Sequence, residues 1–209
     1  MARLRPGAAA HAAGPGAGPG HHDHRPYGLV VPGAGRLLVG TQEREGAAVR
    51  LAVISDTHLS EPSGWFKRFF DEHLLDADVL IHCGDATGKA MHDYMARNHP
   101  NFHGVSGNCC DAYVGQELPA MLRLNLGGKV VGVTHGWGDR PSLPARLPEA
   151  FGPGFDLILF GHTHRQTKVQ FGDTLVVNPG SLSGEKPCMA FIDLGEGIDV
   201  RFRCFKGEE

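Results

Sequence analysis

Five short polar clusters punctuate this chain, and each stands at the end of an apolar run. They are Asp56-Thr57-His58 after Leu51-Ala52-Val53-Ile54, Gly84-Asp85 after Val79-Leu80-Ile81-His82-Cys83, and Gly107-Asn108 within and after Phe102 to Ser106. His135-Gly136 follows Lys129 to Thr134, and Gly161-His162-Thr163-His164 follows Asp156 to Phe160. A short apolar run closed by polar residues reads as a strand buried on both faces. Between these runs, Trp65, Phe66, Phe69 and Phe70 recur at helical spacing, so 64–74 is predicted to be an amphipathic helix. Residues 88–97 also read as a helix, and so does Leu143 to Phe151, against the grain of Pro144 and Pro148. Leu122 to Leu126, Gly127-Gly128 and Lys129 to Thr134 make a predicted hairpin. Thr174 to Val177, Met189 to Leu194 and Ile198 to Phe205 supply three closing strands. Helices alternate with strands early and strands follow strands late. That order implies an α/β chain with a mixed sheet, or two packed sheets with helices outside.

The chain divides in two. Residues 1–48 are a low-complexity tail, with Gly7 to Gly20 almost wholly Gly, Ala and Pro. Such a stretch buries too little to offset its backbone entropy, and is expected to be disordered. Residues 49–209 form one domain of ordinary size, drawing on a composition that is 41% hydrophobic. The formal net charge of −3 argues against a general grip on nucleic acid. No apolar run nears the roughly 18 residues needed to span a membrane. The five cysteines are odd in number and include no Cys-x-x-Cys pair, which speaks against a disulfide framework or a zinc ribbon. A reducing cytoplasm is the simpler expectation. Homo-oligomerisation is left open.

The clusters carry the chemistry. An Asp-x-His at a strand end points both side chains one way while the strand lasts. Alone it is a weak sign, as is Gly-Asp, because a capping carboxylate or a satisfied histidine gives the same pattern. Together the five clusters contribute seven ligand-type side chains, Asp56, His58, Asp85, Asn108, His135, His162 and His164. All could converge at the carboxyl ends of strands, where open α/β folds place their sites. Carboxylate, amide and imidazole without thiolate favour manganese, iron or zinc over calcium, and nickel also suits the set. Asp85 is the candidate bridge between two cations. A pair of divalent cations is common machinery for attack on a phosphate ester.

In order, D-x-H, G-D, G-N, H-G and G-H-x-H resemble the calcineurin-like metallophosphoesterase superfamily. SDTH, HCGD, GNC, THG, GHTH and NPGS are closer still to its small single-domain phosphodiesterase branch. The resemblance covers about 50–205. It implies a four-layer α/β/β/α sandwich of two mixed sheets and a two-metal centre, often holding Mn²⁺. Asp56, His58, Asp85 and His164 would hold one metal, and Asp85, Asn108, His135 and His162 the other. A hydroxide bridging the metals would attack phosphorus of a small phosphodiester substrate. Asp85, Asn108 and His164 are the residues expected to serve catalysis.

The chain departs from the superfamily pattern at Cys109, where many members carry the His that helps protonate the leaving group. Cys110 intervenes before Asp111, and Trp137 replaces the second His of the branch's His-Gly-His. The retromer subunit that resembles this branch serves as an interaction module with altered metal-site residues, so a non-catalytic metal-binding scaffold is the competing expectation. Here no ligand position is lost. A protein Ser/Thr phosphatase is disfavoured, since Gly84-Asp85-Ala86-Thr87-Gly88 lacks the G-D-x-x-D-R-G of that class. Asn178-Pro179-Gly180-Ser181 is expected to turn near the metals, with backbone donors that could meet a phosphate oxygen.

Overall fold

Alternate residues of the central strands bury against different partners, and this sets the layers of the domain. The computed structural model describes residues 48–207; the tail expected over 1–48 lies outside the described residues, apart from its last position. Strand β1 (Val49–Ile54) sends Leu51 and Val53 into one core and Ala52 and Ile54 into another. Strand β2 (Val79–His82) does the same with Val79 and Ile81 against Leu80. The first core lies between two sheets, because it also contains Val131, Val133, Leu157, Leu159 and Val177 from the second sheet. The other packs under helices α1 (Gly64–Phe69, extended by a π-helical turn Phe70–Leu74) and α2 (Lys89–Asn98), through Phe66, Phe69, Phe70, Leu74, Met91 and Met95. A third core joins Ile158, Phe160 and Val176 of the second sheet to Leu143 and Leu147 of a helix at Leu143–Phe151. The order of layers is helix, sheet, sheet, helix, as the family resemblance implies.

The first sheet adds β3 (Phe102–Gly104) in parallel to β2, and β9 (Cys188–Leu194) and β10 (Ile198–Cys204) antiparallel beyond β1. The second orders β4 (Met121–Leu126), β5 (Lys129–Thr134), β6 (Leu157–Phe160), β8 (Thr174–Asn178) and β7 (Thr167–Phe171). Its three inner strands β5, β6 and β8 are parallel, and both edges are antiparallel. The polar clusters therefore leave the carboxyl ends of β1, β2, β3, β5 and β6 on one side of the sandwich.

Three features differ from the sequence reading. Strand β7 was not expected. Its Lys168, Val169 and Gln170 are exposed at a sheet edge, so no alternation marks it, although Gly172-Asp173 before β8 is a hairpin signal. A short helix α3 (Ala112–Glu117), preceding the Leu143–Phe151 helix α4, was also unread; Asp111 caps it by accepting from the Val114 N–H at 2.8 Å. The argument against disulfides needs correction. Cys188 and Cys204 face each other across the β9–β10 register and are bonded, which also removes part of the support for a reducing compartment. A separation of 16 residues does not reveal that register in advance.

Candidate metal centre

Neighbouring strand ends within each sheet build the site from backbone upward. The Asp56 N–H donates to the Gly84 carbonyl at 3.0 Å, the His58 N–H to that of Asp85 at 2.9 Å, and the Gly161 N–H to that of His135 at 3.1 Å. Among the described residues, five non-glycine residues have positive φ: Asp56, His58, Asp85, His162 and His164. All five belong to the predicted ligand set. The left-handed region is uncommon for such residues, and clusters of it mark functional sites. Gly107 and Gly161 are needed for close approach. A Cβ at Gly107 would fall on Oδ1 and the backbone nitrogen of Asp85, and one at Gly161 would meet Ser55 Oγ, the Cys83 carbonyl and Asp56 Oδ2.

The structure brings all seven predicted side chains together. Asp56 Oδ1 lies 3.1 Å from His164 Nε2 and 4.0 Å from both His58 Nε2 and His135 Nε2. His58 Nε2 and His164 Nε2 are 3.2 Å apart. On the other side, Asn108 Oδ1 is 3.0 Å from His135 Nε2 and 2.9 Å from His162 Nδ1, and Asp85 Oδ2 is 3.3 Å from His135 Nε2. Asp56, Asp85 and His135 form a buried floor, while His58, Asn108, His162 and His164 make a more open rim. Two groups have metal-ligand spacing: Asp56 with His58 and His164, all expected on one metal, and Asp56 with Asp85 and His135, which draws on both expected sets. A third joins His58, Asp85 and Cys109, a sulfur outside the expected ligand set.

The hydrogen bonds say which atoms are left for a cation. His135 Nδ1 lies 2.8 Å from the Cys83 carbonyl, which can only accept, so Nδ1 carries the proton and Nε2 a lone pair. The Asn108 amide nitrogen donates to Cys109 Sγ, which turns Oδ1 inward. With the ring neutral, His135 Nε2, Asn108 Oδ1 and Asp85 Oδ2 face one another as acceptors, so a second ring proton or a cation must lie between them. His162 repeats the pattern, with Nε2 3.4 Å from the Gly138 carbonyl and Nδ1 on Asn108 Oδ1. Asp56 Oδ1 is fully buried and accepts no hydrogen bond, although Oδ2 takes one from Ser55 Oγ at 2.6 Å and one from the His162 N–H at 3.1 Å. Native proteins seldom leave a buried carboxylate oxygen so. A divalent cation resolves both anomalies, and the donor set fits one.

Electrostatics point the same way. Burial alone would lower the His135 pKa, yet the hydrogen bond with Asp85 and the charge of Asp56 push it up: a proton fills the gap where a cation would sit. Burial alone would raise Asp85, but His135 and the Cys109 N–H hold its carboxyl below the usual range. Burial and the neighbouring His135 lower His162. Burial, then the charge of Asp85, raises the Cys109 thiol.

Supporting residues were largely missed. His82 is buried behind the site, lowered to about 3 by burial and by His135. Its Nδ1 accepts from the Gly84 N–H, so Nε2–H is left to donate to Thr57 Oγ1, which in turn donates to the Asp85 carbonyl. Ser181 Oγ donates to the Asp56 carbonyl at 2.9 Å. Asn178 donates from Nδ2 to the Gly161 carbonyl and Thr163 Oγ1, and its Oδ1 takes the Gly180 N–H. That amide, expected as a phosphate donor, is already used inside the turn.

A profile of the calcineurin-like phosphoesterase superfamily domain matches residues 49–197. A "probable metallophosphoesterase" of Methanocaldococcus jannaschii is 32% identical over 141 residues, which is 65% of this chain and 69% of the relative. Among solved structures, an archaeal phosphodiesterase superposes with a TM-score of 0.58 at 19% identity, over 75% of this chain and 99% of that one. Vacuolar protein sorting 29 of Cryptosporidium parvum gives 0.54 at 19%, over 77% and 100%.

Proposed function

The chain belongs to the calcineurin-like phosphoesterase superfamily, and from that premise we propose that it is a metal-dependent phosphodiesterase working at the cluster of seven side chains. The observation that carries this reading is the set of inward-facing acceptors, with Asp56 Oδ1 buried and without a donor. Asp56, His58, Asp85 and His164 would hold one divalent cation and Asp85, Asn108, His135 and His162 a second, manganese being the first choice. Cations bound there activate water and neutralise charge developing on phosphoryl oxygens. The chain's own part is orientation. Cys83 fixes the His135 tautomer, Ser55 and the His162 amide fix the Asp56 carboxylate, and His82 with Thr57 ties the ends of β1 and β2 together. Asn108 and His164, on the open rim, would face a substrate phosphoryl group, and Asp85 would serve both cations.

The experiment is metal content by elemental analysis with hydrolysis of bis-p-nitrophenyl phosphate. The wild type should hold two metals per chain, and Asp85→Asn should lose most of the metal and nearly all turnover. A variant retaining two metals and full rate would overturn the assignment. The likeness to vacuolar protein sorting 29 favours a second reading, a metal-binding interaction module. Full metal content with no turnover of any phosphodiester would select that reading.

A further inference from the structure

A cavity of about 500 Å³ opens beside the metal centre and shares His164 with it. His164 forms one end, and Gln166, Gly180, Ser181, Ser183, Lys186 and the Cys188–Cys204 disulfide are among its walls. The volume is in the range of small-molecule sites. It is tied to the centre covalently and by hydrogen bonds, since Ser181 Oγ holds the Asp56 carbonyl. A substrate with its phosphorus at the ligand cluster therefore has one ester arm directed here.

The lining selects that arm. Ser181 Oγ lies 2.9 Å from the Asp56 carbonyl and 2.7 Å from Ser183 Oγ. Since the Ser181 proton goes to the carbonyl, the Ser183 proton goes to Ser181. Ser183 Oγ is left with lone pairs, which accept from a ligand hydroxyl. Lys186 is exposed and is the one fixed charge among the lining residues. Among the described residues its ammonium has no ion-pair partner. Lysine acts as a point charge for phosphate. No aromatic ring other than His164 lines the cavity, so there is no platform on which a nucleobase would stack.

We propose that this cavity is a specificity subsite for a short hydroxylated ester arm, with Lys186 binding a second phosphate at its far end. The proposal rests on the phosphodiesterase reading and narrows its substrate class to diesters of a polyol phosphate.

Two p-nitrophenyl diesters test it on the manganese-loaded protein, one with a 2,3-dihydroxypropyl arm and one whose arm ends in phosphate instead of the terminal hydroxyl. The phosphate-ended ester should have a kcat/KM up to about 5-fold higher, through KM, the most that a partly exposed ion pair usually gives. Lys186→Met should bring the ratio to about 1, Lys186→Arg should keep it, and added salt should reduce it. A wild-type ratio near 1, or a ratio untouched by Lys186→Met, overturns the subsite while leaving the phosphodiesterase reading intact. If neither ester is hydrolysed, the phosphodiesterase reading fails. Calorimetric binding of glycerol 1,3-bisphosphate against glycerol 1-phosphate then decides the subsite by itself. Tighter binding of the bisphosphate, lost in Lys186→Met, supports it; equal binding refutes it.

Discussion

Replacing Asp56 by Asn should make the protein more stable than the wild type without metal and less stable than the wild type with it. Asn has the shape of Asp and tolerates the left-handed backbone that Asp56 adopts at φ 52, so the change isolates charge. Its side-chain oxygen can keep the contacts with Ser55 Oγ and the His162 N–H. Its NH₂ then stands at the position of Oδ1 and can donate to His164 Nε2, 3.1 Å away. Without metal, the wild type carries a fully buried carboxylate oxygen that accepts nothing. Satisfying such a group is worth about 1–3 kcal/mol. For a domain of this size each kcal/mol moves Tm by roughly 2–4 °C, so the variant should melt roughly 2–12 °C above the wild type in EDTA. With Mn²⁺ at a hundredfold excess over Kd, the wild type gains about 2.7 kcal/mol while a variant that has lost an anionic ligand gains far less. Thermal melts at pH 8.5, where the imidazoles carry least charge, should therefore cross between EDTA and Mn²⁺. A variant that melts below the wild type in EDTA and rises equally with Mn²⁺ would refute the idea that Oδ1 is kept for a cation.

Gly107→Ala should reduce bound metal and lower stability by about 1–3 kcal/mol, because the methyl displaces the Asp85 carboxylate; unchanged metal content by elemental analysis would show that the loop can yield. Acid should destabilise the fold. His82 titrates at about 3 when folded against 6.5 ordinarily, so the unfolded chain binds the extra proton between those values. Its contribution is complete above pH 6.5 and is lost as pH falls toward 3, at up to about 1.4 kcal/mol per pH unit, with buried His99 and half-buried His92 and His103 shifted the same way. Urea midpoints from pH 7 to 4 should fall accordingly, and His82→Gln should flatten the slope. Finally, a thiol at Cys109 is a poorer proton donor to a leaving oxygen than an imidazolium, and a positioned acid contributes about 10²–10⁴-fold. Aryl diesters should be cleaved far faster than alkyl ones, and Cys109→His should narrow the gap; equal wild-type rates would mean another acid.

The layers were legible because the strands are buried on both faces. Leu51 to Ile54 and Leu157 to Phe160 could only be apolar throughout if each faced two cores, and each does. Helix α4 formed over the predicted span despite Pro148 because Leu143 and Leu147 are fully buried against the second sheet and tertiary packing overrides propensity. Edge strand β7 and the Cys188–Cys204 pair were hidden for a shared reason. Both depend on register between strands, which single-chain periodicity does not contain.

The ligands were legible as residue types, but their conformations were not. Five of seven sit in the left-handed region, and at roughly 1 kcal/mol or more each that strain is comparable to the net stability of a domain. Asp and His enter such backbone more readily than most side chains but still at a cost, so five together persist only where surrounding bonds over-determine them. The structure shows those bonds around each strained loop. Gly84 and Asp85 carbonyls hold Asp56 and His58 by their amides, Ser181 holds the Asp56 carbonyl, and Asn178 holds Gly161 just before His162 and His164. Apart from Asp85, these supports come from Gly84, Asn178 and Ser181, which lie outside the ligand set and whose sequence signals are those of ordinary turns. The site is thus written twice in the chain: once as ligands that composition reveals, and once as turns that acquire meaning only when the two sheets close on one another.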